Sequence, residues 1–392
     1  MMEGWQVKAL GEVCAFDKVQ GLHRGLPYVG LENIESHTGC FVGSTEPQIA
    51  RSATFRFSNK HVLYGRLRPY LNKILVPDFD GHCSTEIFPL KPRAELSREY
   101  LFYWLLADET CDRINATCTG ARMPRADMNK VLGFKLPLPP LAEQQRIVGI
   151  LDEAFAGIAA TKANAERNLQ NARYLFDSYV QSVFTNRGDA WVERPLSELC
   201  DIKHGFAFEG EFFSNEGEYV LLTPGNFFER GGYRDRGDKQ KYYTGDIPQS
   251  YVLRRGDLLV AMTEQAVGLL GSPIIVPDDD RFLHNQRLGL VTKKSGVTWT
   301  NEFFFYVFNT DRVRKAIHAS ASGVKVRHTS PTKIGDVVVA FPASLTDQKM
   351  IVETLRSLEN ETQRLGGIYE QKLAALDAFK QSLLHQAFSG NL

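Results

Sequence analysis

One stretch, residues 136–186, constrains the fold more than any other. It opens Leu138-Pro139-Pro140-Leu141-Ala142-Glu143-Gln144-Gln145-Arg146-Ile147-Val148, and no proline follows before Asn186. The prolines stop a preceding strand, and a long helix follows them. Apolar or small residues recur at Ile147, Leu151, Ala154, Ile158, Thr161, Ala165, Leu169, Ala172, Leu175, Tyr179 and Val183. Steps of three and four predict one face of a helix packed along a partner helix. A helix of about 45 residues is roughly 67 Å long at about 1.5 Å per residue. That exceeds the core of an ordinary domain, so the segment reads as a spacer.

The same segment returns 204 residues later, at Leu345–Gly390, and no gap is needed to align the copies. Leu141 falls on Leu345, Gln144 on Gln348, Ile147-Val148 on Ile351-Val352, Leu151 on Leu355, Leu169 on Leu373, Leu175 on Phe379 and Phe184 on Phe388. A fixed period over this distance marks an internal duplication rather than two unrelated amphipathic helices.

A chain of 392 residues has room for two or three domains with their own cores. No run of 18 apolar residues is present and the N-terminus has no signal-peptide pattern, so neither a membrane span nor secretion is expected. The six cysteines are scattered, with no Cys-x-x-Cys. They predict a reduced, cytoplasmic chain with buried thiols. His82-Cys83 reads as packing, since no second metal-like pair follows it. With 46 basic and 46 acidic residues the net charge is zero. Any argument for a polyanionic partner must therefore be local.

Taken in order, residues 1–138 form a first globular unit, 139–186 the first spacer helix, 187–343 a second unit and 344–392 the second helix. In the first unit, β-rich pieces are expected at Tyr28–Ile34, Val62–Tyr64, Lys73–Val76 and Glu86–Leu90. Ser97 is expected to cap a helix running to about Cys118, with Leu101, Trp104, Leu105 and Ile114 inward. The second unit repeats this plan. Trp191…Leu196…Cys200 mirrors Trp5…Leu10…Cys14, Ile274–Asp278 mirrors Ile74–Asp78, Glu302–Tyr306 mirrors Glu99–Tyr103, and Gly323–His328 mirrors Gly120–Arg125. It also inserts a polar, Gly-rich loop, Phe227–Tyr243. The expected class is α+β: two globular mixed α/β units separated by a pair of long antiparallel, coiled-coil helices, related by a pseudo-two-fold internal repeat.

Two windows combine several bases with no acid. Residues 51–77 hold Arg51, Arg56, Lys60, Arg66, Arg68 and Lys73, with aromatics interleaved, and residues 312–335 hold Arg312, Arg314, Lys315, Lys325, Arg327 and Lys333. One basic stretch is commonly only a solvated surface. Two on duplicated units suit phosphate contact and base-edge readout of double-stranded DNA. The candidate DNA-binding set is Arg51, Arg56, Lys60, Arg66, Arg68 and Lys73, the loop exits Arg122, Arg125, Lys325, Arg327 and His328, and the inserted-loop bases Arg234, Arg236, Lys239 and Lys241. Gly-x-Gly-x-x-Gly, a phosphate-binding Gly-Lys-Ser/Thr loop, His-Glu-x-x-His and Asn-Pro-Pro-aromatic are all absent. Pro77-Asp78 with Glu86 faintly suggests a metal nuclease, but no Lys stands two residues past Glu86, and a turn is the better reading. No catalytic or metal-binding residue is assigned, and no cofactor is expected on this chain.

The run Leu136-Pro137-Leu138-Pro139-Pro140-Leu141-Ala142-Glu143-Gln144-Gln145-Arg146-Ile147, the helix behind it, and the alternation of unit and helix over the whole chain resemble the specificity (S) subunit of Type I restriction–modification systems. The resemblance implies two target recognition domains, each reading half of a bipartite site, and a helix pair that is both ruler and docking surface for two methyltransferase subunits. Restriction subunits can join them, and S-adenosylmethionine, ATP and magnesium would sit on those partners. Glu143, Gln144, Gln145 and Arg146, with Asp347 and Gln348 in the second copy, are the implied docking residues. The second copy departs from the pattern. Phe341-Pro342-Ala343-Ser344-Leu345-Thr346-Asp347-Gln348 lacks the double proline, although Ser344 with Asp347 can still cap a helix. The alternatives are a specificity subunit or domain of a Type II restriction–modification enzyme, or a coiled-coil scaffold that does not bind DNA.

Overall fold

The computed structural model describes residues 4–50, 52–120, 122–265 and 268–392. The chain divides into two compact units. One takes Met1–Asn168 and Ile368–Leu392, the other Leu169–Gly367. Each unit therefore owns half of each long helix.

The long helices run Leu141–Thr185 and Leu345–Ser389, 45 residues each. At the first start, the Pro140 carbonyl accepts from Glu143 N at 2.9 Å and Gln144 N at 3.0 Å. At the second, where the double proline is missing, Ser344 Oγ accepts from Asp347 N at 3.4 Å. Within the first unit the two halves are antiparallel, since Arg146 donates to the Leu392 carbonyl while Lys162 pairs with Asp377. Ile147, Leu151 and Ile158 share that unit's core with Leu383, Leu384 and Ala387. In the second unit Val180 and Phe184 share a core with Val352 and Leu355.

The buried stripe departs from expectation past Ala172. Leu175 and Tyr179 are 65% and 41% exposed, and Phe176, Val180 and Phe184 turn inward instead. Here the helix packs onto a globular core: the Phe184 ring meets Trp191 at 5.8 Å and Phe303 at 5.5 Å. Successive steps of four carry the stripe around a 3.6-residue helix toward that core.

In the first unit, Gln6–Ala9 pairs antiparallel with Lys135–Leu138, the strand that feeds the first long helix. A four-stranded antiparallel sheet orders Cys14–Phe16, Ile87–Pro92, Val62–Gly65 and Ile74–Leu75. A second sheet orders Gln20–Gly21, Thr54–Phe57, Gly81–Cys83 and Tyr28–Val29, the last pairing parallel. The second unit repeats the first pattern: Trp191–Pro195 pairs with Val338–Pro342, and Cys200–His204, Leu288–Lys293, Leu258–Ala261 and Pro273–Ile275 form the sheet. Its other sheet has five strands, one of them Tyr242–Tyr243. The inserted segment thus ends in a strand, and Asn226 Nδ2, donating to Gln240 Oε1 at 3.0 Å and to the Arg234 carbonyl at 3.3 Å, pins its middle.

Ser97 does cap its helix, accepting from Tyr100 N at 3.0 Å. The single helix expected to Cys118 is two, Arg98–Leu106 and Asp108–Asn115, broken where Ala107 turns extended. The break lets Leu105 and Ile114 both reach the core. Cys14, Cys83, Cys111 and Cys200 are buried as expected, but Cys40 is exposed and Cys118 half-buried. Burial pushes the Cys14 thiol up to about 12. Among the described residues no helix is long and apolar enough to cross a membrane.

Candidate nucleic-acid interface

The second unit also has a helix pair, Asn301–Asn309 and Asp311–Ser320, and in each unit the chain leaves the second helix of the pair through a closed loop. Thr119 and Arg125 exchange backbone hydrogen bonds at 3.1 Å, and Ser322 and His328 do so at 3.0 and 2.8 Å. Gly120 (φ +92°) and Gly323 (φ +103°) open the two loops in a left-handed conformation that suits glycine. Arg122 and Met123 are exposed at one tip, and Lys325 is exposed at the other beside Val324, which is 100% exposed.

Each loop lies against the end of a sheet strand, and the hydrogen bonds define equivalent positions. Leu67 bridges to Arg125, Arg66 N donates to the Glu86 carbonyl, and Ala126 N donates to the Arg66 carbonyl. In the second unit Thr263 pairs with His328, Met262 N donates to the Arg287 carbonyl, and Thr329 N donates to the Met262 carbonyl. Arg66, Arg68, Glu86 and Arg125 therefore correspond to Met262, Glu264, Arg287 and His328. The backbone is shared but the side chains differ: exposed Arg287 stands where the first unit has Glu86, and Glu264, in the place of exposed Arg68, is buried with Oε2 accepting from Gly268, Leu269 and Leu270 N at 2.9–3.1 Å. Arg287 is exposed and was absent from the sequence-based set. Its signal was weak: a single Arg outside any basic window, visible only once the two units are superposed strand by strand.

Around this frame the predicted bases divide. In the first unit Glu86 accepts from Arg66 Nε at 2.9 Å and from Arg125 Nε at 3.0 Å. Partial burial pushes its carboxyl up, but hydrogen bonds and charge from Arg125 and Arg66 outweigh this and hold it below the usual range. Its carboxylate is thus committed to arginines rather than poised for a metal. Arg68 is exposed beside this pair, with a left-handed backbone (φ +52°). Arg56 is exposed on the Thr54–Phe57 strand. Lys60 is exposed before the Val62–Gly65 strand and Arg66 follows that strand. Six residues at about 3.3 Å put them roughly 20 Å apart, so the window is not one patch. Lys73 is corrected outright: its Nζ donates to the Leu31 and Ile34 carbonyls at 2.7 and 2.8 Å, closing the fold. Arg51 lies outside the described residues.

In the second unit Arg234, Lys239 and Lys241 are exposed and Arg236 half-buried. Arg234 sits 5.9 Å from the Phe228 ring and Lys241 5.4 Å from Phe213, which stacks their charges on aromatic faces. Arg327 folds back onto His318, donating to its carbonyl at 2.7 Å. His328 is exposed on the strand. Arg314 donates to the Gly268 carbonyl and is half lost to the interior; burial lowers its pKa to about 10.

The helix-start residues also divide. Gln144 and Gln348 are 0% exposed. Gln144 Oε1 accepts from Ser97 N at 2.8 Å while its Nε2 donates to the Glu95 and Pro139 carbonyls at 2.9 and 2.8 Å. Gln348 repeats this with Thr300 N at 3.0 Å and the Thr298 and Pro342 carbonyls at 3.2 and 3.1 Å. Both are internal latches, which corrects the expectation that they touch a partner. Gln145 is exposed, Glu143 and Arg146 pair at 2.7 Å on the surface, and Asp347 is half-buried. Among the described residues no group of His, Cys, Asp or Glu could hold a metal ion.

The sequence matches the Type I restriction modification DNA specificity domain over residues 2–169 and again over 188–371. It is 29% identical over 158 residues to the Type I restriction enzyme EcoDI specificity subunit of Escherichia coli, covering 40% of this chain and 34% of that protein. To the EcoBI specificity subunit of E. coli it is 28% identical over 206 residues, covering 52% and 40%. The chain thus spans well under half the length of each of these relatives. The fold resembles a solved chain from a study of complex assembly and conformational transition in the type I R-M system, with TM-score 0.82, 22% identity and coverage of 100% and 99%. It also resembles the HsdS subunit from Thermoanaerobacter tengcongensis, with TM-score 0.64, 21% identity and coverage of 100% and 98%. With two copies of the domain matched along nearly its whole length, the chain belongs to the Type I restriction modification DNA specificity family.

Proposed function

We propose that this chain is the DNA-specificity subunit of a Type I restriction–modification complex. It binds double-stranded DNA at a bipartite site, each unit reading one half, and docks two methyltransferase subunits, with restriction subunits joining. Chemistry belongs to those partners, together with S-adenosylmethionine, ATP and magnesium; this chain is non-catalytic and works in the cytoplasm. One observation carries the reading. Two units hold a matching basic-tipped loop on a matching strand end, yet the side chains presented there differ: Arg66, Arg68, Glu86 and Arg125 in the first unit against Arg287 and His328 in the second, where Met262 and Glu264 at the remaining equivalent positions are buried. A shared frame with different polar faces is what reading two different half-sites requires.

The test is methyl transfer from labelled S-adenosylmethionine. The purified chain alone should transfer none. Assembled with its methyltransferase subunits it should direct methylation to two short motifs separated by unread bases. Transfer by the chain alone, or methylation at one uninterrupted motif, overturns the proposal.

A further inference from the structure

The cluster Arg66–Glu86–Arg125 places a carboxylate in the middle of the face proposed to meet DNA. Arg125 closes on Glu86 Oε1 through Nη2 at 2.9 Å and Nε at 3.0 Å, and Arg66 Nε meets Oε2 at 2.9 Å. All three side chains keep about a quarter to a third of their surface open, at 33% for Arg66, 23% for Glu86 and 37% for Arg125. Arg66 also lies 5.3 Å from the Phe88 ring, which fixes its plane. A carboxylate here repels phosphate, so for affinity alone it is a poor choice. The frame does not need it either. At the equivalent positions the second unit has Met262, Arg287 and His328, and it still keeps the strand and the loop.

We infer that Glu86 is a positioning residue for specificity, holding the Arg66 and Arg125 guanidiniums as a fixed fork that reads base edges rather than phosphates in the first unit's half-site. The inference rests on the DNA-specificity reading above. A guanidinium tied at one edge keeps its remaining N–H groups in one plane, which is what bidentate contact with a base needs. Freed of Glu86, both arginines turn to the phosphates, which carry full negative charge where base edges carry partial charges. Losing the carboxylate should therefore raise sequence-independent binding while lowering discrimination. A purely structural role would lower both.

The experiment uses the full chain assembled with its methyltransferase subunits and fluorescent duplexes. These carry the mapped methylation motif intact, scrambled in the first unit's half, scrambled in the second's, or scrambled in both. For Glu86→Gln, the ratio of intact to first-half-scrambled affinity should fall about tenfold, as for loss of one good bidentate contact. Binding to the doubly scrambled duplex should tighten, and the plot of log K against log salt should steepen by about 0.9 for each phosphate gained. Discrimination at the second half should not change. Glu86→Asp should restore part of the ratio. Arg66→Lys, which keeps the charge and loses the fork, should lower the ratio with the salt slope unchanged, and it serves where Glu86→Gln fails to fold. If Glu86→Gln and Arg66→Lys leave the first-half ratio as in the parent, or if Glu86→Gln weakens binding to every duplex alike, the inference is overturned while the specificity reading stands. If the parent complex itself shows no difference between intact and half-scrambled duplexes, the reading beneath it has failed instead.

Discussion

Replacing Gln144 by Ala gives a direct measure of what ties a long helix to its globular unit. The side chain is fully buried and makes three hydrogen bonds, to Ser97 N, the Glu95 carbonyl and the Pro139 carbonyl, at 2.8–2.9 Å. Alanine removes all three. The contact with the Pro139 carbonyl is buried, and leaving that group unpaired costs about 1–3 kcal/mol. The Ser97 and Glu95 groups are partly solvated and can recover water, so each loses only the net value of a hydrogen bond, about 0.5–1.5 kcal/mol. The sum is about 4 kcal/mol. A unit of this size should then melt roughly 8–16 °C lower, at about 2–4 °C per kcal/mol. Gln144→Glu should be worse at neutral pH, because it sets a carboxylate against two carbonyl oxygens. The assay is thermal and urea unfolding of the full chain, with Gln145→Ala as the exposed control, expected within about 0.5 kcal/mol of the parent. A Gln144→Ala chain that unfolds like the parent but loses methyltransferase binding would refute this reasoning and return Gln144 to the docking surface.

Because each loop tip belongs to its own unit, Arg122→Ala should alter discrimination at one half-site only and Lys325→Ala at the other, each by about 1–3 kcal/mol if the side chain reads a base; half-scrambled duplexes and the assembled complex decide it, and equal effects at both halves would end the assignment. His284 is buried with Nε2 bonded to the Leu288 carbonyl at 2.9 Å, and burial lowers its pKa to about 4. Since the unfolded imidazole takes a proton near 6.5, the second unit should be fully stable above that pH and lose stability as pH falls from about 6.5 toward 4; urea midpoints of parent and His284→Gln across that window should converge at low pH, and parallel curves would count against it.

Much of this fold was written in periodicities. The 204-residue repeat and the proline that precedes Leu141 located two helices whose ends fall within a residue or two of expectation, because a 45-residue helix leaves many positions to vote on one phase. Short signals carried less. Thr54–Phe57 and Gly81–Cys83 were missed as strands since three or four residues show no usable alternation, and the Ala107 break has no Gly or Pro to mark it. For the candidate site, the loop tips were legible because Gly precedes bases in both copies. The rest was not. Counting charges along the chain cannot tell Lys73, turned inward onto two carbonyls, from Arg68, exposed a few residues earlier. It also cannot find Arg287, whose importance comes from the strand register that sets it opposite Met262.

Packing of the long helices explains why sequence order and compact units disagree. A helix as long as these cannot bury its stripe against one globular core, so each half packs where its own apolar residues find partners. Ile147, Leu151 and Ile158 join the first unit's core, and Phe176, Val180 and Phe184 join or pack against the second's. The second long helix divides in the opposite sense, Val352 and Leu355 in the second unit and Leu383, Leu384 and Ala387 in the first. Each unit is therefore closed by a segment far away in the chain, and residues 368–392 are as much a part of the first core as Trp104 is. The tyrosine on the domain helix shows the same exchange: Tyr103 donates to Asp152 of the first long helix at 2.5 Å, whereas Tyr306 donates to Glu359 of the second at 3.4 Å. In both cases the long helix that follows a unit's feeding strand supplies the carboxylate, and the other long helix supplies the apolar partner, Phe388 for Tyr100 and Phe184 for Phe303. Those roles recur in the same order in each unit, so the helix halves are fixed by packing to the frame, and the loop faces are free to differ on top of it.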